Sequence, residues 1–293
     1  MFNKLFFLSL LLGTVPAGLW AQQQAAFRNS GDKQEADVCR YAVTYTYRFV
    51  EDTLKKDPLY DRYVLEIGDR MSRFYSVYAD QCDSIMFGAT RGSHRGSERG
   101  VDAHSWLRGN ERATYDDFFM HHPQPGMLTV SSCMINMEYA YTEAIPSIEW
   151  HILPDTLTVM GYVCQKATAV FRGRQWDVWF SLSLPFGSGP WKFSGLPGLV
   201  LRAEDRDRLF EFEAIGLERT ADRKIHVWTE NQNRYRKISR QDMMKLVRQK
   251  WEDPAGLIIS HRLRHVVVDA QGRARETQSG DYRYPYIPAL ELE

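Results

Sequence analysis

The sequence lacks any bias of charge. Its 293 residues carry 37 basic and 37 acidic side chains. That balance argues against nucleic acid as a partner, because nucleic-acid-binding proteins usually present a basic excess. A long apolar run is also missing after the first residues. Leu5 to Val15 is interrupted only by Ser9, Gly13 and Thr14, and nothing comparable follows. The run falls short of the roughly 20 residues a spanning helix needs. Lys4 before it and Ala21-Gln22 after it fit an export signal over residues 1–21, leaving no membrane-spanning segment once it is cleaved. Cysteine is scarce: Cys39, Cys82, Cys133 and Cys164 are all there are. An exported chain can form disulfides, and four cysteines allow three complete pairings, among which the sequence does not choose. No CxxC, HExxH or HxH spacing occurs, so neither a metal nor another cofactor is expected. No GxSxG is present either, which leaves an exported hydrolase with an unrecognised site as the alternative reading rather than the main one.

What the sequence does have is aromatic content and alternation. Hydrophobic residues make up 44% of the chain and aromatics 13%, enough for a sizeable core in a single β-rich domain over 38–293. Residues 22–37 read as a flexible, Gln-rich lead-in. Tyr41, Val43, Tyr45, Tyr47 and Phe49 then alternate, as in a half-buried strand. A charged loop around Pro58 follows, then a hairpin turning at Gly68-Asp69 and a short helix over 79–87. Residues 89–112 hold five arginines among Gly, Ser and His and read as a solvated insertion. Strand signals resume over 127–136 and 150–153. The clearest hairpin pairs 161–171 with 175–184 across Arg172-Gly173, with Val163, Ala167, Ala169 and Phe171 expected on one face and Cys164 on the other with Tyr162 and Lys166. Further strands are expected over 199–203, 209–217 and 224–230. A helix runs from a Ser239 cap to Trp251, its Met243, Leu246, Val247 and Trp251 stripe facing a core. A last hairpin turns at Gln271-Gly272. Many short strands with few helices predict a mainly β fold: a strongly curved antiparallel sheet, a partial barrel or sandwich, with one or two short helices.

Residues 187–201, Gly-Ser-Gly-Pro-Trp-Lys-Phe-Ser-Gly-Leu-Pro-Gly-Leu-Val-Leu, stand out. Glycine permits positive φ and close backbone approach, and proline fixes φ, so this stretch specifies one backbone path. Gly195→Val or Gly198→Val is expected to destabilise the fold by about 1–3 kcal/mol if either glycine needs positive φ. The six residues Gly195, Leu196, Pro197, Gly198, Leu199 and Val200 resemble the motif that names the GLPGLI family of exported bacterial proteins, with Val in the last place. The approach Gly189-Pro190-Trp191-Lys192-Phe193, the hairpin blocks Gly161 to Ala167 and Phe171 to Arg174, and Ser72 to Ser76 are similar too, so the resemblance spans roughly residues 40–217. It implies an exported, β-rich protein of the periplasm or outer membrane, or a secreted one, of a kind that often accompanies envelope transporters. It implies no catalytic residues.

The candidate ligand-binding residues are Arg172, Arg174, Trp176, Trp191 and Lys192, where a turn and a glycine-rich loop could stack guanidinium on indole. The plainer reading has Trp191 and Phe193 plugging the end of a barrel while the arginines pair with Asp177 or Glu204. His94, His104, His121, His122 and His151 read as exposed loop histidines, and Ser194 has no histidine near it in sequence. The expected function is a non-enzymatic module binding an apolar or amphipathic small molecule or an outer-membrane transporter.

Overall fold

The computed structural model describes residues 33–54, 56–82, 84, 107–134, 137–228, 235–260, 266–268, 273–279 and 289–292. The expected export signal, the lead-in as far as residue 32, His94, His104 and most of the Arg-rich stretch lie outside them.

Thirteen strands join in one sheet. In chain order they are β1 (Lys33–Val50), β2 (Pro58–Gly68), β3 (Ser72–Ser76), β4 (Asp116–Met120), β5 (Met127–Met134), β6 (Met137–Ala144), β7 (His151–Val159), β8 (Tyr162–Phe171), β9 (Arg174–Ser181), β10 (Leu199–Asp205), β11 (Phe210–Arg219), β12 (Lys224–Trp228) and β13 (Tyr235–Lys237). The spatial order is β13-β6-β5-β4-β3-β2-β1-β11-β10-β9-β8-β7, with β12 pairing β1 as a branch. Among the described strands only the short β13 runs parallel to its neighbour β6. The chain is mainly β, and its curved sheet does not close into a barrel. Two helices follow, α1 (Arg240–Glu252) and α2 (Pro254–Ser260), and β14 (Val266–Val268) pairs β15 (Ala274–Glu276) antiparallel, the expected turn residues Gln271 and Gly272 lying outside the described residues.

Curvature follows from which side chains point inward. Val43, Tyr45, Tyr47 and Phe49 of β1 share one core with Phe74, Phe118, Val130, Tyr141, Trp176, Val178, Phe212 and Met243 of α1. Strands from nearly the whole sheet thus face a single interior, which a flat sheet could not give. A smaller cluster lies on the other face of β1 and β2, where Cys39, Ala42 and Val64 meet Phe119, Ile225 and Val227.

Several expectations are corrected. The lead-in ends earlier: residues 33–37 already belong to β1, paired with β12. Asp37 fixes them, its carboxylate accepting from Val38 N, Arg70 N and Met71 N. Pro58 opens β2 instead of sitting in the loop, and as the first residue of a strand it needs no donor there. The early helix starts at residue 77, ahead of the expected 79, with Ser76 Oγ accepting from Ala79 N, and residues 83 and 85–87 of the expected span lie outside the described residues. In β8 the inward set changes parity: Cys164 is buried while Val163 is 65% exposed. The break coincides with a register irregularity in the β7–β8 pairing, between Ile152 and Thr156. All four cysteines are buried and none is joined in a disulfide, so none of the three pairings is present.

Candidate functional site

The glycine-rich loop is built as a packed plug. Trp191 and Phe193 are 1% exposed, with ring centroids 5.2 Å apart at 84°. Trp176 of β9 meets both, at 5.4 Å and 5.0 Å, and Phe171 closes on Trp191 at 5.3 Å. Trp150 ties the loop from outside, donating from Nε1 to Ser194 O. Gly195 has φ +87°, whereas Gly198 does not need positive φ. Its requirement is proximity, since a Cβ there would fall 2.1 Å from Ser181 O. Leu199 and Val200 continue directly into β10 beside β9.

The turn arginines do not pair with Asp177 or Glu204. Arg172 Nη2 binds Glu143 Oε2 at 2.8 Å, and Arg174 Nη1 binds Asp205 Oδ2 at 3.0 Å. Asp177 and Glu204 are taken by Lys166 and Arg202. The reason is direction. The β8–β9 turn has φ +52° at Arg172 and +75° at Gly173, which turns Arg172 toward β6. Arg174 points inward, and Asp205, which also accepts from Leu209 N and Phe210 N, receives it. Of the five candidates, Trp176 and Trp191 lie together in the core, and Arg172 and Lys192 lie together in a cluster of ion pairs. Arg174 stands apart against Asp205.

Lys192 is the unexpected member. Its side chain is 0% exposed, yet its Nζ reaches Tyr141 OH at 2.7 Å, Glu143 Oε1 at 3.1 Å and Glu291 Oε1 at 2.5 Å. Burial lowers the Lys192 ammonium from its usual range, and Glu291 and Glu143 act against that shift. Tyr141 is held well above the usual phenol range by burial, reinforced by the same two carboxylates.

Beside this cluster lies a cavity of ≈ 220 Å³. Its floor is the inner face of the sheet. Tyr47 stacks on Phe212 at 4.5 Å and 8°, and Tyr63 stacks on Phe74 at 4.5 Å and 24°. Phe49, Phe118 and Phe210 extend that surface, and Met243, Met244 and Val247 of α1 form the opposite wall. One end carries Ala289, Leu290 and Glu291, and the polar lining includes Glu51, Arg112, Asp116 and Lys250. Burial pushes the Glu51 carboxyl up and the Lys250 ammonium down. No histidine lines the cavity among the described residues.

Helix α1 reaches its place by local means. Ile238 N donates to Ala140 O, continuing the β13–β6 pairing to the cap. Ser239 Oγ then accepts from Asp242 N, and the chain turns into the helix. Asp253 ends α1, its N donating to Gln249 O, and starts the next turn by accepting from Gly256 N.

Sequence reasoning missed the cavity and its acids. The alternation in β1 and the apolar stripe of α1 were both visible, but nothing in the sequence says that they face each other across a gap. Glu143 and Glu291 carry no pattern of their own. His121 presents Nδ1 to Gly126 N, and His151 is exposed on β7. Among the described residues no group of three or more His, Cys, Asp or Glu could hold a metal.

No protein-family model and no curated protein matches the sequence. Among solved structures the chain is similar to PNGF-II, with a TM-score of 0.46 and 13% identity over 79% of this chain and 35% of that one. It thus spans about a third of PNGF-II's length. An uncharacterized conserved protein from Thermus thermophilus gives a TM-score of 0.32 at 8% identity, covering 68% of this chain and 90% of that one. A LolA superfamily protein from Nitrosomonas europaea gives 0.24 at 10% identity, covering 71% and 95%. At these scores the likeness assigns neither ligand nor activity.

Proposed function

We propose that this protein holds an apolar or amphipathic small molecule between the inner face of its sheet and helix α1, as a non-enzymatic binding module. The observation that carries the reading is the cavity itself: stacked aromatics on one wall, methionines on the other. Aromatic faces supply large apolar contact, and unbranched thioether side chains adapt to ligands of more than one shape. At ≈ 220 Å³ the space lies a little under the roughly 300–1,000 Å³ of drug-sized sites, which suits a slender ligand. We place the protein outside the cytoplasm, in the periplasm or at the outer membrane, with an envelope transporter as partner. That placement rests on the leader-like start and on the resemblance to GLPGLI proteins.

A neutral environment-sensitive dye, N-phenyl-1-naphthylamine, tests the binding reading. The mature protein is expected to enhance its emission saturably at micromolar concentrations. Val247→Trp, which fills the cavity from the helix side, is expected to weaken that binding by about tenfold or more while the far-ultraviolet circular dichroism stays unchanged. Equal binding by both proteins would place the dye elsewhere and sink the reading.

A further inference from the structure

Residues 289–292 lie against the cavity in a way that looks like a ligand. Their backbone is held at both ends: Ala289 O accepts from Arg174 Nε and Nη2, and Leu292 N donates to Arg172 O. Leu290 packs against the core and lines the cavity. The next side chain, Glu291, enters the ion-pair cluster. Its Oε1 takes Lys192 Nζ at 2.5 Å, and its Oε2 takes Arg240 Nη2 at 2.6 Å and Nε at 3.2 Å, with Arg172 Nε 3.8 Å away.

The charges around that position are the telling quantity. Lys192, Arg172 and Arg240 are three cations, and Glu143 and Glu291 are the carboxylates that meet them. Glu143 alone would leave an excess of two positive charges around a fully buried ammonium. A buried charge without its partner is strongly unfavourable, so the position of the Glu291 carboxylate calls for an anion. Arg172 Nε is buried without a hydrogen-bond acceptor and is one more donor aimed at that position. The three cations come from distant parts of the chain: the β8–β9 turn, the glycine-rich loop and the first residue of α1.

We infer that the 289–292 segment occupies the head end of the ligand site, and that the ligand is a long-chain carboxylate whose acid group takes the place of Glu291 against Lys192, Arg172 and Arg240 while its chain enters the aromatic cavity. The inference rests on the binding reading above and adds the ligand's class. It also makes the segment an internal competitor: Ala289 and Leu290 fill the end of the cavity that the first carbons of such a chain would use.

Two probes of equal chain length separate the head from the chain: dodecanoate and dodecanol, each titrated by calorimetry. Glu291→Gln keeps the segment's size and removes its charge. This variant is expected to bind dodecanoate about tenfold more tightly than the native protein, with dodecanol affinity changed less than about twofold. A variant ending at residue 288 is expected to favour dodecanoate over dodecanol in the same sense. Adding Arg240→Gln to Glu291→Gln is expected to reverse the gain for dodecanoate only. If both probes gain equally, the segment blocks the site by bulk alone and the carboxylate assignment is overturned. If neither gains while dodecanol still binds, the inference fails and the cavity reading stands. If neither probe binds any of the proteins, both fall together.

Discussion

Asp61 shows how a single buried group sets the chemistry of its surroundings. Its carboxylate accepts from Arg62 N at 2.6 Å and Ser76 Oγ at 2.8 Å on one oxygen, and from Thr114 N at 2.7 Å and Thr114 Oγ1 at 2.6 Å on the other. Tyr63 OH completes the chain by donating to Thr114 Oγ1 at 2.5 Å. Burial pushes the Asp61 carboxyl up to about 7 in spite of those four donors. An unfolded carboxyl titrates near 3.9, so the folded state holds the proton more tightly. Stability from this group is therefore fully present below about pH 4 and is lost as pH rises through about 7. The carboxyl ¹³C signal of Asp61 is expected to titrate near neutrality, and Asp61→Asn is expected to remove that part of the fall in urea midpoint between pH 5 and pH 8. A midpoint near 4 would contradict this. Little of it was legible in the sequence, because the partners lie 15 and 53 residues away. By contrast, the conformational demand at Gly195 could be read directly, since a Gly-Leu-Pro-Gly run needs an unusual path wherever it occurs. The demand at Gly198 could not, because it comes from the Ser181 carbonyl on another strand.

Helix α1 is the element on which the site depends. Its start is set by Ser239, whose Oγ accepts from Asp242 N at 3.1 Å and donates to Asp242 Oδ2 at 2.8 Å. Met243 is buried against the sheet, and the helix leans on β6 through the β13 pairing. Ser239→Ala is expected to cost about 1 kcal/mol of unfolding free energy, measured in urea. Dye binding should weaken with it, because the frayed first turn carries both Arg240 and Met243. A stability loss without any change in dye affinity would mean that the helix start does not shape the cavity. The helix, its cap and the Met243, Leu246 and Val247 part of its apolar stripe were readable from local spacing, as were the β8–β9 and β14–β15 hairpins. Elements fixed by contacts distant in sequence were not. Residues 33–37 read as a loose lead-in because their partners, β12 and the Arg70-Met71 backbone, lie far along the chain. Val163 read as inward because period two assumes a regular strand, and β8 is irregular where its neighbour's register shifts.

At the scale of the whole molecule, an open sheet must solve two problems: covering its apolar inner face and ending its edges. The inner face is covered at one end by the Trp191–Phe193 plug and elsewhere by α1, and the cavity is the space those two leave. The plug explains why the glycine-rich loop is so constrained. It is a structural stop that also positions Lys192 where no water-exposed lysine could sit. The general architecture, a bent β structure with short helices, followed from strand density alone. The existence of a cavity did not, since it depends on how far curvature falls short of closure.

Methionine methyl NMR reads the proposed cavity in a single titration, because the methionines whose side chains the structure describes fall into two groups. Met134, Met243 and Met244 line the cavity, whereas Met71, Met120, Met127 and Met160 do not. With ¹³C-methyl-labelled protein and N-phenyl-1-naphthylamine, saturable shifts are expected at Met134, Met243 and Met244 and not at Met71, Met120, Met127 or Met160. Shifts centred on Met127 or Met160, or no shift at all at saturating dye, would contradict it.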